Sequence, residues 1–240
     1  MPSSTRHSLV VTEYVLSRFD AEELERERLS LVEQFHDPLT ARQLDEIGVG
    51  EGWRCLDVGA GGGSVTRMLA ERVGESGSVF ATDLDPRRLE PLAGDRLEVW
   101  QHDVLVDPLP ESSFDLVHTR LMLMHVPARL VALQRLAASI RPGGWLAVID
   151  VDFTGMRLSP ATPAWDRVWS AFLDTTTAAG WDASYGARLC DNLEALELED
   201  VEAEHVVTRG RGCASTARQT RMSTRRSGCS WTQAFAFARR

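Results

Sequence analysis

The segment from Trp53 to Val73 constrains the fold more than any other part of this chain. Trp53 to Val58 has the length and apolar character of a short buried strand. It runs into Gly59-Ala60-Gly61-Gly62-Gly63, and a helical pattern follows from Ser64 to Val73, with Val65, Met68, Leu69 and Val73 on one face. A strand that turns through glycines into a helix is an anion and nucleotide site. Glycine lets the backbone approach a ligand closely, and the helix N-terminus offers unpaired N–H groups.

The surrounding pattern repeats this alternation. Ser78 to Leu84, Leu97 to His102, Phe114 to Thr119 and Trp145 to Phe153 read as further strands. A helix of about Pro127 to Ile140 precedes the last of them and is ended by Arg141-Pro142-Gly143-Gly144. Strands separated by helices pair in parallel through right-handed crossovers, so a doubly wound α/β sheet is expected. Two helices are predicted ahead of it. The first is capped by Asp20, with Glu23 at the reciprocal position, and runs to Phe35. The second runs from Pro38 to Ile47 and is stopped by Gly48 and Gly50. Residues 1–50 are thus expected to form a helical cap. Beyond Phe153 the spacing predicts helices over Trp165 to Ala179 and Arg188 to Leu196, then a sixth strand over Val201 to Val207.

Composition narrows the function classes. A net charge of -9 argues against bare nucleic acid as a partner, since phosphate binding needs a basic field. No apolar stretch is long enough to span a bilayer, and residues 1–6 lack a signal-peptide core; a cytoplasmic protein is expected. The four cysteines show no C-x-x-C spacing, so neither a metal site nor a redox pair is expected, and Cys55 reads as buried filler.

Asp83 lies 24 residues after Gly59, at the end of the second strand, where a carboxylate can accept from ribose hydroxyls. On these features alone a nicotinamide dehydrogenase competes with other nucleotide binders. Five motifs, read together, separate them. Leu56-Asp57-Val58-Gly59-Ala60-Gly61-Gly62-Gly63 resembles the first motif of class I S-adenosylmethionine-dependent methyltransferases, and Thr82-Asp83-Leu84-Asp85 the second. His102-Asp103-Val104, Phe114-Asp115-Leu116-Val117 and Arg141-Pro142-Gly143-Gly144 resemble the later ones, in order and at typical spacing. The style is that of the small-molecule enzymes of ubiquinone/menaquinone-biosynthesis type, as found in bacterial secondary metabolism, and the likeness covers about residues 12 to 207.

The resemblance implies a Rossmann-like domain over residues 51–207 that binds S-adenosylmethionine, with a substrate-side helical insertion over 154–190. Gly59, Ala60, Gly61 and Gly63 would contact the methionine part of the cofactor. Asp57 would hold the loop and the cofactor's amino group, and Asp83 the ribose. Leu84 would pack on adenine, Asp103 would accept from its amino group, and the Val104 N–H would meet a ring nitrogen. Arg120 would lie near the methionine end, and Tyr14 could close over the cofactor. Asp115 reads as an anchor for neighbouring backbone.

A general base is needed only if the acceptor must lose a proton. His125, just past the fourth strand, is the candidate; a histidine bonding local backbone before Pro127 is the plainer reading. His118 lies inside the strand. Phe153, Met156, Trp165, Trp169, Phe172 and Trp181 would suit an apolar or aromatic small-molecule acceptor, or would simply pack an added helix.

From Thr208 the character changes: residues 208–240 hold eight arginines and no acid. The family's sheet ends with an antiparallel strand beside the sixth, and no counterpart is evident. The tail is expected to be disordered, as from a shifted reading frame or, alternatively, as a basic arm that binds an anionic partner, with the final antiparallel strand missing or atypical. That leaves a second function open: a cofactor-binding protein that is catalytically impaired or regulatory.

Overall fold

The computed structural model of the protein describes residues 22–196, 198–210, 218–219 and 228–240. Helix α1 (Glu22–Ile47) leads into β1 (Arg54–Val58), α2 (Ser64–Val73), β2 (Ser78–Asp83), β3 (Leu97–Gln101), β4 (Phe114–Arg120), α3 (Arg129–Ser139) and β5 (Ile140–Ser159). Helices α4 (Pro163–Ala178) and α5 (Leu189–Glu194) follow, then β6 (Glu199–Gly210), the two-residue β7 (Arg218–Gln219) and β8 (Gly228–Arg239). All eight strands form one sheet in the order β3-β2-β1-β4-β5-β8-β6-β7. The ladders from β3 through β5 are parallel, and β8 runs antiparallel to both β5 and β6. This is the expected Rossmann-like α/β sheet, with its helical insertion after β5.

The strand order reverses between β1 and β4, and in such sheets ligands bind beyond the carboxyl ends of the strands at that point. Two apolar layers hold the sheet. Leu56, Val58, Val117, Val148 and Leu133 pack on the α3 face. Cys55, Leu116, Ala147, Leu69 and Leu44 pack on the face of α1 and α2. Burial pushes the Cys55 thiol well above its ordinary range, in keeping with a small buried hydrophobe.

Two expectations are corrected. The pair of N-terminal helices is one helix of 26 residues with Pro38 inside it. An interior proline removes one hydrogen bond and crowds the preceding turn, at about 3 kcal/mol. Leu39, Leu44 and Ile47 are buried just beyond it, each worth about 1.5–3 kcal/mol, which offsets that cost. Tertiary packing carries the helix through.

The final antiparallel strand is present, and residues 228–239 are strand rather than disordered tail. β8 lies between β5 and β6 and pairs with both. Ala234 and Ala236 enter the α3-side core, while Phe237 enters the other and meets Trp145 edge-on at 5.6 Å. Gln43 of α1 donates to the Ala236 carbonyl (3.2 Å). A strand buried on both faces shows no apolar–polar alternation, and Ala234, Ala236 and Ala238 supply only small side chains to its buried stretch, so its hydrophobic signal in the sequence is weak. Residues 211–217 and 220–227 of the expected tail lie outside the described residues, as does Tyr14.

Candidate functional site

The glycine loop is held by its backbone. Gly59 and Ala60 donate to the Thr82 carbonyl (2.8 and 3.0 Å), and Gly61 donates to Asp83 Oδ2 (2.9 Å). Gly59 has φ 71°, and a Cβ there would stand 2.8 Å from Met122 Cγ. Gly63 caps α2 in the left-handed region, with φ 84°. Neither position admits a side chain without strain.

Asp83 grips both sides of the turn: Oδ1 accepts from the Asp85 N–H (3.0 Å). Burial raises its carboxyl above the usual range, while the Asp85 and Gly61 N–H groups pull it back. Each oxygen keeps lone-pair capacity, and the residue is not fully buried, so it can accept further hydrogen bonds. Beside it Leu84 is 52% exposed, an apolar side chain at the strand ends. Asp103 Oδ1 accepts from Leu105 N–H (2.9 Å), and its own N–H donates to Asp107 Oδ2 (2.8 Å). That closes a tight turn around the buried Val104.

Asp57 is 2% exposed and fully engaged. Thr66 of α2 donates to Oδ2 (2.7 Å), and Nδ1 of the buried His118 donates to Oδ1 (2.9 Å). Asp57 therefore locks β1 to α2 and β4. It supports the loop from behind, and His118, seen in the sequence only as a strand residue, is its partner. Asp115 likewise anchors backbone: Oδ2 accepts from Arg54 N–H (2.8 Å) and Oδ1 pairs with Arg141.

Arg120 is nearly buried and turned toward the helices. It donates to Asp37 Oδ1 (2.9 Å), Thr40 (2.9 Å) and Ser64 Oγ (3.0 Å), so one guanidinium joins the end of β4 to α1 and to the first turn of α2. Glu33 of α1 completes this clasp. Its Oε1 accepts from Ser64 N–H (3.2 Å), and a Cβ on Gly62 would come within 2.3 Å of that oxygen. Nothing local in the sequence marks Glu33, because its partner lies 31 residues away.

On the acceptor side, three segments converge past β4 and β5. Asp150 Oδ2 accepts from Met124 N–H (3.1 Å), Met124 O accepts from Asp182 N–H (2.8 Å), and Ala183 O accepts from Phe153 N–H (2.8 Å). Asp150 is fully buried, and burial pushes its carboxyl up to about 7. His125 meets Trp181 edge-on at 4.1 Å. Burial, with a smaller contribution from the Arg28 charge, pushes its imidazole down to about 3, so it is neutral near pH 7 and a weak base. A cleft of about 440 Å³ opens beside these residues, lined by Arg129, Leu173, Trp181, Asp182 and Arg188 among others. Asp182 pairs with Arg129 (3.1 Å) and with Arg188. Trp165, Trp169 and Phe172 stack along α4, and Phe172 meets Trp181 edge-on at 6.3 Å. The aromatic residues of the insertion thus form one continuous wall that ends at His125. Among the described residues, no helix is long and apolar enough to cross a membrane.

Comparison with known proteins agrees with this geometry. Residues 56–148 match the model of a methyltransferase domain. The chain is 30% identical over 202 residues to methyltransferase str2 of Strobilurus tenacellus, covering 81% of this chain and 70% of that one. It is 31% identical over 115 residues to the ubiquinone/menaquinone biosynthesis C-methyltransferase UbiE of Hahella chejuensis, covering 45% and 46% of the two chains. Among solved structures, an S-adenosylmethionine-dependent methyltransferase from Aquifex aeolicus superposes with TM-score 0.51 at 21% identity, over 82% of this chain and 87% of that one, a likeness of fold alone. The strand order, the glycine loop and these matches together place the chain in the class I S-adenosylmethionine-dependent methyltransferases.

Proposed function

We propose that this chain binds S-adenosylmethionine along the Gly59–Gly63 loop and transfers its methyl group to a small molecule held in the cleft beside Trp181. The observation that carries the reading is the loop itself: it opens at the switch point of the sheet, tied to Asp83, with the acceptor-side cleft at the same strand ends.

The bound cofactor supplies an activated methyl group, so the protein's task is alignment and electrostatics. Asp83 holds the ribose hydroxyls, and Leu84 covers one face of the adenine. Asp103 accepts from the adenine amino group, and the Val104 N–H meets a ring nitrogen. Gly59, Ala60, Gly61 and Gly63 line the methionine portion. Asp57 acts from behind the loop, and Arg120 from the side. His125 stands against Trp181, which lines the acceptor cleft, and is neutral near pH 7, which suits an acceptor that is already nucleophilic.

For that acceptor we propose an apolar or aromatic molecule of bacterial secondary metabolism. The wall of Trp169, Phe172 and Trp181 and the match to a quinone-biosynthesis C-methyltransferase support this choice. Calorimetric titration tests the cofactor. Binding of S-adenosylmethionine and S-adenosylhomocysteine is expected, and NAD should give no heat. Binding of NAD alone would replace this reading with an oxidoreductase. Turnover across a panel of flat aromatic acceptors then separates an enzyme from an inert binder.

A further inference from the structure

Helix α1 lies across the mouth of the proposed cofactor site. Leu29 Cδ2 stands 3.5 Å from the position a Cβ would take on Gly61. The Arg28 charge acts on His125, and that of Arg88, just past β2, acts on Glu25. The first half of α1 therefore spans the strand ends from the β2 side to the β4 side. At the middle of this span Glu33 places a carboxylate on the first N–H of α2, in the notch that Gly62 leaves open. Asp37, one turn further along α1, accepts from Ser64 Oγ (2.8 Å) and from Arg120, and so fixes the helix there.

The first turn of α2 has a limited set of unpaired N–H groups, and the dipole of a helix favours one negative charge at that end, not two side by side. S-adenosylmethionine carries a carboxylate on its amino-acid tail, and the glycine loop with this helix N-terminus is where that tail is proposed to lie. Two carboxylates at one N-terminus repel each other and cannot both take the Ser64 N–H. We propose that Glu33 is a built-in competitor for the cofactor's carboxylate, so that α1 must release the first turn of α2 before the amino-acid tail can seat. The contact is self-inhibitory. It weakens ligands that carry the tail and leaves alone those that lack it.

This inference rests on the proposed cofactor, and the test separates the two. Glu33→Gln keeps the shape and the acceptor oxygen but removes the charge; Glu33→Ala removes both. Affinities of S-adenosylhomocysteine and of 5′-methylthioadenosine, which has the same nucleoside without the amino-acid tail, are measured by calorimetry on the wild-type chain and both variants. Circular dichroism melts check that each variant is folded. The expected result is tighter S-adenosylhomocysteine binding in both variants, by roughly two- to thirtyfold, the span that a charge at a helix N-terminus carries. Affinity for 5′-methylthioadenosine should change less than twofold. Weaker S-adenosylhomocysteine binding in Glu33→Gln would overturn the proposal, because Glu33 would then be holding the cofactor's ammonium group. An equal shift for both ligands, or no shift, would overturn it as well. If the wild-type chain binds neither nucleoside, the cofactor reading itself fails.

Discussion

Phe237→Ala is the sharpest test of the sheet. Phe237 is 6% exposed and sits in the α1-side core with Leu116, Ala147 and Leu44, its ring edge-on to Trp145. Truncating a buried phenylalanine removes its transfer free energy and leaves a cavity, together about 3–5 kcal/mol. The strand is clasped by β5 and β6, so its backbone has little freedom to collapse into the void. For a chain of this size each kcal/mol moves the melting temperature by roughly 2–4 °C. A fall of about 6–20 °C is therefore expected by scanning fluorimetry or circular dichroism. Val168→Ala serves as control: Val168 is 65% exposed on α4, so its change should stay within about 0.5 kcal/mol. Removing residues 228–240 should be more severe, since it uncovers the facing edges of β5 and β6. A Phe237→Ala protein that melts within about 1 °C of wild type would refute the placement of β8. Those residues would then be the dispensable tail that the arginine-rich composition suggested.

Three further outcomes follow from the site. Asp83→Ala removes a charged acceptor that also holds the Gly61 N–H; with about 1.5–3 kcal/mol per such bond, S-adenosylhomocysteine affinity should drop roughly ten- to a hundredfold in calorimetry. His125→Gln should lower kcat by less than about tenfold, short of the hundredfold or more that loss of a general base brings. The kcat–pH profile should carry no ionisation that His125→Gln removes between pH 5 and 8, because the His125 imidazole is held near 3. Asp150 gives a stability signature. Its folded carboxyl is raised to about 7 against an unfolded value of about 3.9, so the folded state holds the extra proton between these limits. Stability contributed by this group is thus present at low pH and is lost as pH rises through that window, with a slope approaching about 1.4 kcal/mol per pH unit. Denaturant titrations of Asp150→Asn should lack this part of the slope, and an unchanged slope would remove Asp150 as its source.

Much of the molecule was legible in its sequence because the relevant forces are local. Strand-length apolar runs, a glycine turn and a 3.6-residue apolar period specify β1, the loop and α2 within a 20-residue window, and α2 spans Ser64–Val73 as that period predicts. Asp83 follows from the same logic, since a parallel sheet brings the end of each strand to one edge. What the tertiary structure decided lies where partners are remote. Pro38 alone predicts a helix boundary, yet Leu39, Leu44 and Ile47 found a surface to bury against and the helix continued. β8 joins its neighbours across gaps that no window spans, and between two strands its alanines needed no alternation to be buried. Arg120 and Asp57 were expected near the cofactor from the sequence, but that they also tie strands to helices depends on Asp37, Ser64 and His118, which come from other elements. Glu33 is the extreme case. By itself it is one acid among several on an amphipathic helix; only the fold sets it on the Ser64 N–H, where its charge bears on the glycine loop with which the sequence began.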